Sequence, residues 1–438
     1  MKKLIVVLVL LFSHMLIFSQ KVEHVIIVTI DGFRPDFYLD SGWHTPHLKQ
    51  LMKQGVYAYG VNSVLPSMTY PSHTTIVTGV QPATHGVYYN TRFNPAGGKG
   101  MLYWQYSTIK VPTLWSVLHQ QGKTVASLCW PMTGGAPVDY NIPDNADLGD
   151  SMQYAYSIPR GFIDTVKQEI FNSAEPIEFG KDENVARIAA YVIEKAKPTL
   201  TTVHFFSVDH AEHMSGRTGA MVEQAISDAD SGVAIIQQAI RQSNIESNTV
   251  LIVTGDHGFK NVTTVVSPNI WLKENNIITD SAHWKAIFNS VGGATFLYLK
   301  DKTDKKTLNK VLAILKSQPD SIRQYYRIIT REQMNAIGGN PEVAFCLSGE
   351  NGSAFSNASN GIPVKPGKGG THGFFPDTRE IQTGFIAYGP GLQTGGKMIR
   401  EMNLRDIAPL VASLLNISFP TAEGKIPDGV LASSVNSR

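Results

Sequence analysis

The segment HVIIVTI, residues His24–Ile30, is a short run dominated by β-branched residues, and it stops at Asp31. Two later segments share this pattern of a β-rich run followed by an aspartate: TTVHFFSV at residues 201–208 before Asp209, and TVLIVTG at residues 249–255 before Asp256. Runs of this length and composition predict buried strands of a parallel sheet. Because the carboxyl ends of parallel strands meet at one edge of a sheet, we expect the three aspartates to lie close together.

Helical patterns alternate with these strands, near residues 46–53, 112–121, 183–195 and 221–243. This alternation predicts an α/β fold with a mostly parallel central sheet and helices on both of its faces. A strand, a helix and a second strand are also predicted between residues 295 and 329. We interpret the surrounding region, at about residues 292–348, as a small α+β lobe inserted into the core.

The chain has 438 residues, of which 42% are hydrophobic, and its 38 basic side chains nearly balance its 36 acidic ones. This length suits a large α/β enzyme core with an inserted lobe. A neutral balance argues against a broad face of clustered Lys and Arg, so no stable nucleic-acid binding is expected. Two cysteines, Cys129 and Cys346, are too few for a disulfide framework; they either pair with each other or remain buried thiols.

The amino terminus has the pattern of a secretory signal peptide. Lys2 and Lys3 precede an apolar run, from Leu4 to Phe12, that falls short of the roughly 20 residues needed to span a membrane. Residues 1–20 are therefore predicted to be removed on export, which leaves residues 21–438 without a membrane span. The short MKK start and the few cysteines favour the bacterial periplasm as the destination, with secretion as the alternative.

Histidines lie beside the aspartates at spacings that suit metal ligands. Three motifs carry them: DHAEH, with Asp209 and His213; TGDHG, with Asp256 and His257; and GGTHG, with His372. A single aspartate at a strand end is usually a cap, and a lone histidine is usually a surface or core residue. Three such aspartates together with three histidines are harder to explain as caps and ordinary core residues. Mixed histidine and carboxylate ligands favour zinc, ahead of manganese or iron.

Residues 66–86 read PSMTYPSHTTIVTGVQPATHG. Their helical periodicity begins after Pro71, which places Thr69 just before a helix start. A hydroxyl in that place is commonly an N-cap, a role for which Ser67 and Ser72 compete. A helix start also receives phosphate well, because unpaired backbone N–H groups point outward there, and a metal could ionise the hydroxyl into a nucleophile.

Five motifs occur in order along the chain: TIDGFRPD, TYPSHTTIVTG followed by HG, DHAEH, TGDHG and GTHGF. In this order and spacing they resemble the nucleotide pyrophosphatase/phosphodiesterase (type I phosphodiesterase) family of the alkaline phosphatase superfamily, over nearly all of residues 21–438. The resemblance implies an alkaline-phosphatase-like catalytic domain that binds two Zn²⁺ per chain. It also implies hydrolysis of phosphodiester or phosphoanhydride bonds of nucleotides through a phosphothreonine intermediate, with release of nucleoside 5′-monophosphates.

The resemblance assigns the nucleophile and the metal ligands. Thr69 matches the nucleophile of the family motif. Three residues would hold one metal ion: Asp209, His213 and His372. Four residues would hold the other: Asp31, Thr69, Asp256 and His257.

The resemblance also assigns substrate-binding residues. Asn90, in HGVYYN, and the backbone N–H of Tyr70 are implied to bind a non-bridging phosphoryl oxygen. The ring of Tyr70 is a further candidate to stack on a nucleobase. Tyr154 and Tyr156 are predicted for the same pocket, with ordinary packing as the alternative.

Three more residues of these motifs have chemically active side chains. His73 and His85 are expected to stabilise their loops by hydrogen bonding, because seven metal ligands are already assigned. Glu212 is expected either to orient His213 or to face solvent.

Charge favours a small nucleotide or another phosphodiester as the substrate. Two divalent ions bring four positive charges and the three aspartates return three, so about one positive charge remains. That charge suits a singly charged diester better than a dianionic monoester. The alternatives on the same scaffold are a phosphomonoesterase and a phospholipid-headgroup or phosphonate hydrolase. A different class of interpretation is a catalytically inactive binding module.

Overall fold

The computed structural model describes residues 21–96, 100–144, 148–173 and 175–432. The predicted signal peptide, residues 1–20, lies outside the described residues. The strands of the described residues are β1 (His24–Ile30), β2 (Val56–Ala58), β3 (Val61–Asn62), β4 (Val125–Leu128), β5 (Tyr140–Ile142), β6 (Leu200–Phe205), β7 (Thr249–Thr254), β8 (Lys260–Asn261), β9 (Thr264–Val266), β10 (Ala286–Ser290), β11 (Ala294–Leu299), β12 (Tyr326–Ile329), β13 (Phe345–Gly349), β14 (Ser353–Phe355), β15 (Val364–Pro366), β16 (Gly370–Thr371), β17 (Phe385–Tyr388), β18 (Lys397–Ile399) and β19 (Met402–Asn403).

The α-helices of the same residues are α1 (Asp36–Leu39), α2 (Pro46–Gln54), α3 (Thr69–Thr78), α4 (Pro82–His85), α5 (Leu114–Gln120), α6 (Asp150–Tyr156), α7 (Phe162–Val166), α8 (Asp182–Ala196), α9 (Ser207–Ser215), α10 (Ala220–Gln242), α11 (Pro268–Glu274), α12 (Lys305–Lys316), α13 (Asp320–Arg323), α14 (Arg331–Ala336) and α15 (Ile407–Leu414).

The central sheet has eight strands in the order β18-β2-β17-β7-β1-β6-β4-β5. Strands β7, β1, β6, β4 and β5 are parallel to one another, whereas β17 runs antiparallel to both β7 and β2. The predicted α/β class with a mostly parallel sheet is therefore confirmed. In register, Ile30 lies beside Phe205 and Thr29 lies beside Thr254, so β1, β6 and β7 end at the same edge.

Helices cover both faces of this sheet. Successive side chains of a strand point to opposite faces, so one strand contributes apolar side chains to a hydrophobic cluster on each face. On β1, Ile26, Val28 and Ile30 pack into one hydrophobic cluster together with α8 and α10. Val25 and Ile27 pack into a second cluster together with α3, α5 and α15. The central strands are thus buried on both faces, as their continuous apolar runs predict.

The end of β6 differs from the sequence prediction. The strand stops at Phe205, short of the predicted residue 208, and α9 begins at Ser207. The buried Asp182 side chain terminates the strand, because its Oδ1 accepts hydrogen bonds from the backbone N–H of Ser207 and of the residue before it, at 3.3 and 2.8 Å. Asp209 therefore lies in the first turn of a helix instead of directly after a strand. His213 follows one turn later on the same helix face.

The start of α3 also differs from the prediction. Thr69 is the first residue of the helix rather than a residue before it, and Met68 has the extended backbone of an N-cap. Pro71 is accommodated within the first turn, where its missing N–H has no intrahelical partner to lose.

A second, antiparallel sheet of order β10-β11-β13-β12 lies between Ala286 and Gly349, with α12 against it. It begins ahead of residue 292, because β10 pairs with β11 in a hairpin. Cys129 lies in the main core and Cys346 in this sheet, and both are buried free thiols, the second of the two predicted alternatives. Within the described residues, no helix is both long and apolar enough to cross a bilayer.

Candidate metal centre

The carboxyl edge of the central sheet brings acidic and histidine side chains together. Asp31 directly follows β1, and Asp256 follows β7 after a single glycine. The Nε2 atom of His257 lies 3.2 Å from Asp31 Oδ1 and 3.1 Å from Asp256 Oδ2. One atom from each of these three buried residues falls within a cluster small enough to hold a metal ion. The hydroxyl of Thr69 lies near enough to the Asp31 carboxylate to lower its pKa, so all four residues of this predicted ligand set adjoin.

A second group lies beside the first. Asp209 Oδ1 is 3.4 Å from His213 Nε2 and 3.5 Å from His372 Nε2. His257 also reaches this group, since Asp209, His257 and His372 offer one ligand atom each within a single cluster. The rings of His257 and His372 stack in parallel at 3.7 Å, so the two groups share a wall.

Backbone carbonyl oxygens set the orientation of the three histidine rings. The Nδ1 atoms of His213, His257 and His372 lie 3.1, 3.2 and 3.0 Å from the carbonyl oxygens of Gly370, Gly258 and Ser67, respectively. Because a carbonyl only accepts, each Nδ1 carries the proton and each Nε2 presents a lone pair to the acidic groups. This is the tautomer that metal-binding histidines adopt, with the second nitrogen held by an outer partner.

The polar atoms that face one another here are buried and have no hydrogen-bond partner within the part of the chain that the structure describes. They are Asp31 Oδ1, Asp209 Oδ1, Asp256 Oδ2 and His257 Nε2. The remaining oxygen of Asp256 is satisfied, because Oδ1 accepts from the backbone N–H groups of Gly32 and His257 at 3.1 and 3.0 Å. Unpaired buried polar atoms are costly in a folded protein, and cations between them remove that cost. The residues present therefore fit divalent metal ions.

Burial and mutual repulsion perturb the carboxyl groups. Burial raises the pKa of Asp31 to about 7 and the pKa of Asp209 to about 7, with repulsion between the two carboxylates adding to the effect on Asp209. Burial, together with the charge of Asp31, also raises the pKa of Asp256 well above its usual value. A bound cation would reverse these shifts, because its positive charge favours the ionised carboxylates.

Metal binding is therefore expected to release protons. A carboxyl with a pKa of about 7 must lose its proton before it ligates a cation, so metal affinity falls as the pH falls through about 7. Titration calorimetry of the metal-free protein, in buffers of different ionisation enthalpy, should show more protons released per chain at about pH 6 than at about pH 8. The Asp209→Asn variant should release about one proton fewer. Equal proton release at both pH values would contradict the raised pKa values.

The predicted phosphoryl-binding groups adjoin the nucleophile segment. The backbone N–H of Tyr70 donates to Asn90 Oδ1 at 3.0 Å. The Tyr70 ring is only 3% exposed, and its hydroxyl donates to Asp144 Oδ2 at 2.7 Å. Tyr154 and Tyr156 lie on α6, each 38% exposed.

The loop of Asn90 is anchored to the second sheet through its neighbour, Tyr89. The Tyr89 hydroxyl accepts hydrogen bonds from Tyr298 Oη at 3.1 Å and from Asn340 Nδ2 at 3.0 Å. All three side chains are largely or fully buried. Residues 286–349 thus contact the loop of Asn90 as well as the core.

The remaining polar residues of the motifs have structural partners. Glu212 is fully buried and pairs with Arg34, whose Nε lies 3.1 Å from Glu212 Oε1, so it neither faces solvent nor bonds to the His213 ring nitrogens. His85 hydrogen-bonds Thr75 Oγ1 at 3.1 Å. His73 contacts the Thr69 carbonyl oxygen at 2.8 Å, which accords with a loop-stabilising role.

Sequence reasoning missed one buried residue at the site. His204, on β6, places Nε2 3.4 Å from Asp31 Oδ2. Its signal was a single polar ring inside an otherwise apolar strand, TTVHFF, which the strand pattern alone does not distinguish from a core histidine.

The fold and the site together define an α/β protein with a threonine at a helix start beside Asp and His groups suited to metal ions. The sequence profile described as "Type I phosphodiesterase / nucleotide pyrophosphatase" matches residues 25–374. The chain therefore belongs to the type I phosphodiesterase/nucleotide pyrophosphatase family, as its motifs predicted, and its relatives are hydrolases of phosphodiester bonds.

Two human proteins are among its relatives. Ectonucleotide pyrophosphatase/phosphodiesterase family member 5 from Homo sapiens is 24% identical over 411 residues, which cover 90% of this chain and 75% of that protein. Family member 1 from Homo sapiens is 25% identical over 427 residues, which cover 90% of this chain and 40% of that protein. The chain thus matches well under half of the second relative's length.

Solved structures of ectonucleotide pyrophosphatase/phosphodiesterase 5 have the same fold. The human protein superposes with a TM-score of 0.66 at 20% identity, over 90% of this chain and 95% of that one. An inactive threonine-to-alanine variant of the murine protein, in complex with AMP, superposes with a TM-score of 0.67 at 20% identity, over 92% of this chain and 97% of that one.

Proposed function

We propose that this protein is an exported two-zinc phosphodiesterase of the nucleotide pyrophosphatase type, which releases nucleoside 5′-monophosphates through a phosphothreonine intermediate. The observation that carries the proposal is the position of Thr69. It is the first residue of α3, and its hydroxyl lies near enough to the Asp31 carboxylate, within the Asp31–Asp256–His257 group, to lower the pKa of Asp31. A nucleophile in this place lies against a cation-binding group, and a bound cation would lower the pKa of its hydroxyl.

The two groups of ligands suit two divalent ions. When bound, such ions polarise the phosphoryl group and lower the pKa of oxygens at the attacking and leaving positions. Asp31, Asp256 and His257 would hold one ion next to Thr69, and Asp209, His213 and His372 would hold the other. The mixed Asp and His donors favour zinc over magnesium or calcium, which prefer oxygen ligands alone.

The chain's own residues account for attack and orientation. Thr69 Oγ1 would attack the phosphorus atom, with its proton initially directed at the Asp31 carboxylate. The bond from phosphorus to the leaving oxygen then breaks, and water hydrolyses the phosphothreonine to release the monophosphate. Asn90 would orient a non-bridging oxygen through its amide nitrogen, while its Oδ1 accepts the hydrogen bond from the Tyr70 N–H at 3.0 Å.

A nucleotide substrate is supported by the murine relative, whose inactive variant binds AMP. The nucleobase would lie toward the aromatic side chains beyond Tyr70. The Tyr70 ring packs in a cluster with Trp104, and the ring of Trp104 meets that of Tyr156 edge-on at 4.8 Å. Because the Tyr70 ring is 3% exposed, whereas Tyr154 and Tyr156 are each 38% exposed, the tyrosines of α6 offer more surface for stacking.

Export is part of the proposal. It rests on the signal-like residues 1–20 and on the ecto-enzyme names of the relatives. The bacterial periplasm is the proposed compartment, with secretion as the alternative.

A direct test compares three chromogenic substrates with the same leaving group: p-nitrophenyl thymidine 5′-phosphate, p-nitrophenyl phosphate and p-nitrophenyl phosphorylcholine. We expect kcat/KM for the nucleotide diester to exceed the other two by about tenfold or more, which corresponds to about 1.4 kcal/mol of transition-state preference. The Thr69→Ala variant, prepared identically, gives the background rate. Preference for p-nitrophenyl phosphate would instead identify a phosphomonoesterase, and preference for the choline ester would identify a headgroup hydrolase.

A further inference from the structure

A layer of fully buried polar side chains lies in the protein interior, next to the Asp31 group. It consists of Thr29 on β1, His204 on β6 and His73 on α3, each 0% exposed. Thr29 and His204 are neighbours in the parallel pairing of β1 with β6. We call these three residues the buried histidine layer. Three polar residues in the interior of an apolar sheet are costly to bury unless each satisfies the others, so their grouping requires an explanation.

His204 lies against the side chain of Asp31. Its Nε2 atom lies 3.4 Å from Asp31 Oδ2, whereas the other carboxylate oxygen, Oδ1, lies 3.2 Å from His257 Nε2. His204 Nε2 is fully buried and has no hydrogen-bond partner among the described residues. If Nδ1 of His204 accepts the hydroxyl proton of Thr29, which lies 3.0 Å away, Nε2 carries the ring proton. That proton faces Asp31 Oδ2 and attracts it, which leaves Oδ1 directed at the ion-binding group.

The other nitrogen of His204 connects to the helix that carries Thr69. His204 Nδ1 lies 3.0 Å from both Thr29 Oγ1 and His73 Nε2. His73 Nδ1 in turn donates to the Thr69 carbonyl oxygen at 2.8 Å. Because His73 Nδ1 carries the ring proton, His73 Nε2 and His204 Nδ1 both accept, and they share the single hydroxyl proton of Thr29. The layer therefore packs the side chain of Asp31 against the helix that carries the nucleophile residue.

We propose that His204 is a positioning residue that holds the Asp31 carboxylate for metal binding and, through His73, fixes it relative to Thr69. This inference rests on the proposed metal sites. It predicts that loss of His204 weakens the ion held by Asp31, Asp256 and His257, while the ion held by Asp209, His213 and His372 is retained. Outer partners of metal ligands typically change metal affinity by about 10- to 100-fold when they are removed.

The test is zinc binding by the full-length, metal-free protein, measured by competition with a chromophoric chelator. In the His204→Phe variant, one of the two zinc equivalents should bind about 10- to 100-fold more weakly, and the other should change by less than about twofold. In the His204→Gln variant, whose amide nitrogen can reach the place of Nε2, the weakened equivalent should return to within a few-fold of the unsubstituted protein.

His85→Phe is the matched control. His85 is equally buried, but it contacts Thr75 on α3 and the backbone of Val87 in the loop after α4. It should lower the melting temperature without changing either zinc affinity. Wild-type zinc binding by His204→Phe, or the same selective loss in His85→Phe, would overturn the inference.

Two further outcomes separate the possible failures. If the unsubstituted protein binds no zinc, the proposed function fails. If it binds two equivalents that the His204 substitutions leave unchanged, only the role of His204 fails. If His204→Phe does not fold, His204→Asn replaces it as the test variant, because the shorter amide of asparagine cannot reach Asp31. The inference then requires that His204→Asn binds one zinc equivalent more weakly than His204→Gln does.

Discussion

Replacing Thr69 by alanine is expected to lower kcat for nucleotide diesters by about 10⁴-fold or more, because removal of a covalent nucleophile eliminates the main reaction path. The structural cost should be small. The substitution removes one hydroxyl and its hydrogen bond to Asp31, a change on the order of 1 kcal/mol in the free energy of unfolding. Steady-state kinetics, with zinc content and melting temperature measured on the same samples, would separate the two effects.

Thr74→Ala is the matched control for this substitution. Thr74 is a buried threonine of the same helix, and its hydroxyl donates to the Tyr70 carbonyl oxygen at 2.8 Å instead of facing the Asp and His groups. It should retain kcat within a few-fold. Turnover by Thr69→Ala close to that of the unsubstituted enzyme would rule out the phosphothreonine intermediate.

Removal of metal is expected to abolish activity reversibly and to destabilise the fold. Without cations, the neighbouring carboxyl groups of Asp31, Asp209 and Asp256 are costly to ionise together, and several of their atoms have no hydrogen-bond partner among the described residues. A ligand present at about 1,000 times its dissociation constant stabilises the native state by about 4 kcal/mol, so chelation should lower the melting temperature by several degrees. Activity should return in proportion to added zinc and saturate at about two equivalents per chain.

The control for chelation is addition of magnesium in place of zinc. Magnesium prefers oxygen ligands, so it should restore much less activity than zinc at a group that includes His213, His257 and His372. Full activity after chelation, in protein in which metal analysis finds no bound ion, would contradict the two-metal proposal.

Much of the site could be predicted because its signals are local. Asp31 and Asp256 follow strands whose β-rich composition is readable, and parallel topology brings such strand ends together. Asp209 and His213 are four residues apart, which places them on one side of a helix turn. For Asp209 the prediction of the element was wrong, since it lies on α9, yet the spacing still brought it to the correct edge of the sheet.

The outer partners could not be predicted, because their contacts join distant parts of the chain. His204 meets His73 across 131 residues of sequence and Thr29 across 175. Likewise, Glu212 has no sequence signal that names Arg34 as its partner, and only the packing of α9 against the loop after β1 decides that it is buried. Composition predicts which residues are chemically suitable, whereas the register of the sheet decides which of them meet.

The hydrogen bonds between the histidine rings and backbone carbonyl oxygens also bear on the stability of the fold. His372 is oriented by the backbone of Ser67, which is 305 residues away in the sequence, and His213 is oriented by Gly370, which is 157 residues away. Ions bound at these groups would therefore connect remote parts of the chain, as covalent cross-links do in other proteins. Cross-links that close long loops restrict the unfolded ensemble most. Both cysteines of this chain are free thiols, so bound ions would take the place of a disulfide in its resistance to unfolding and proteolysis.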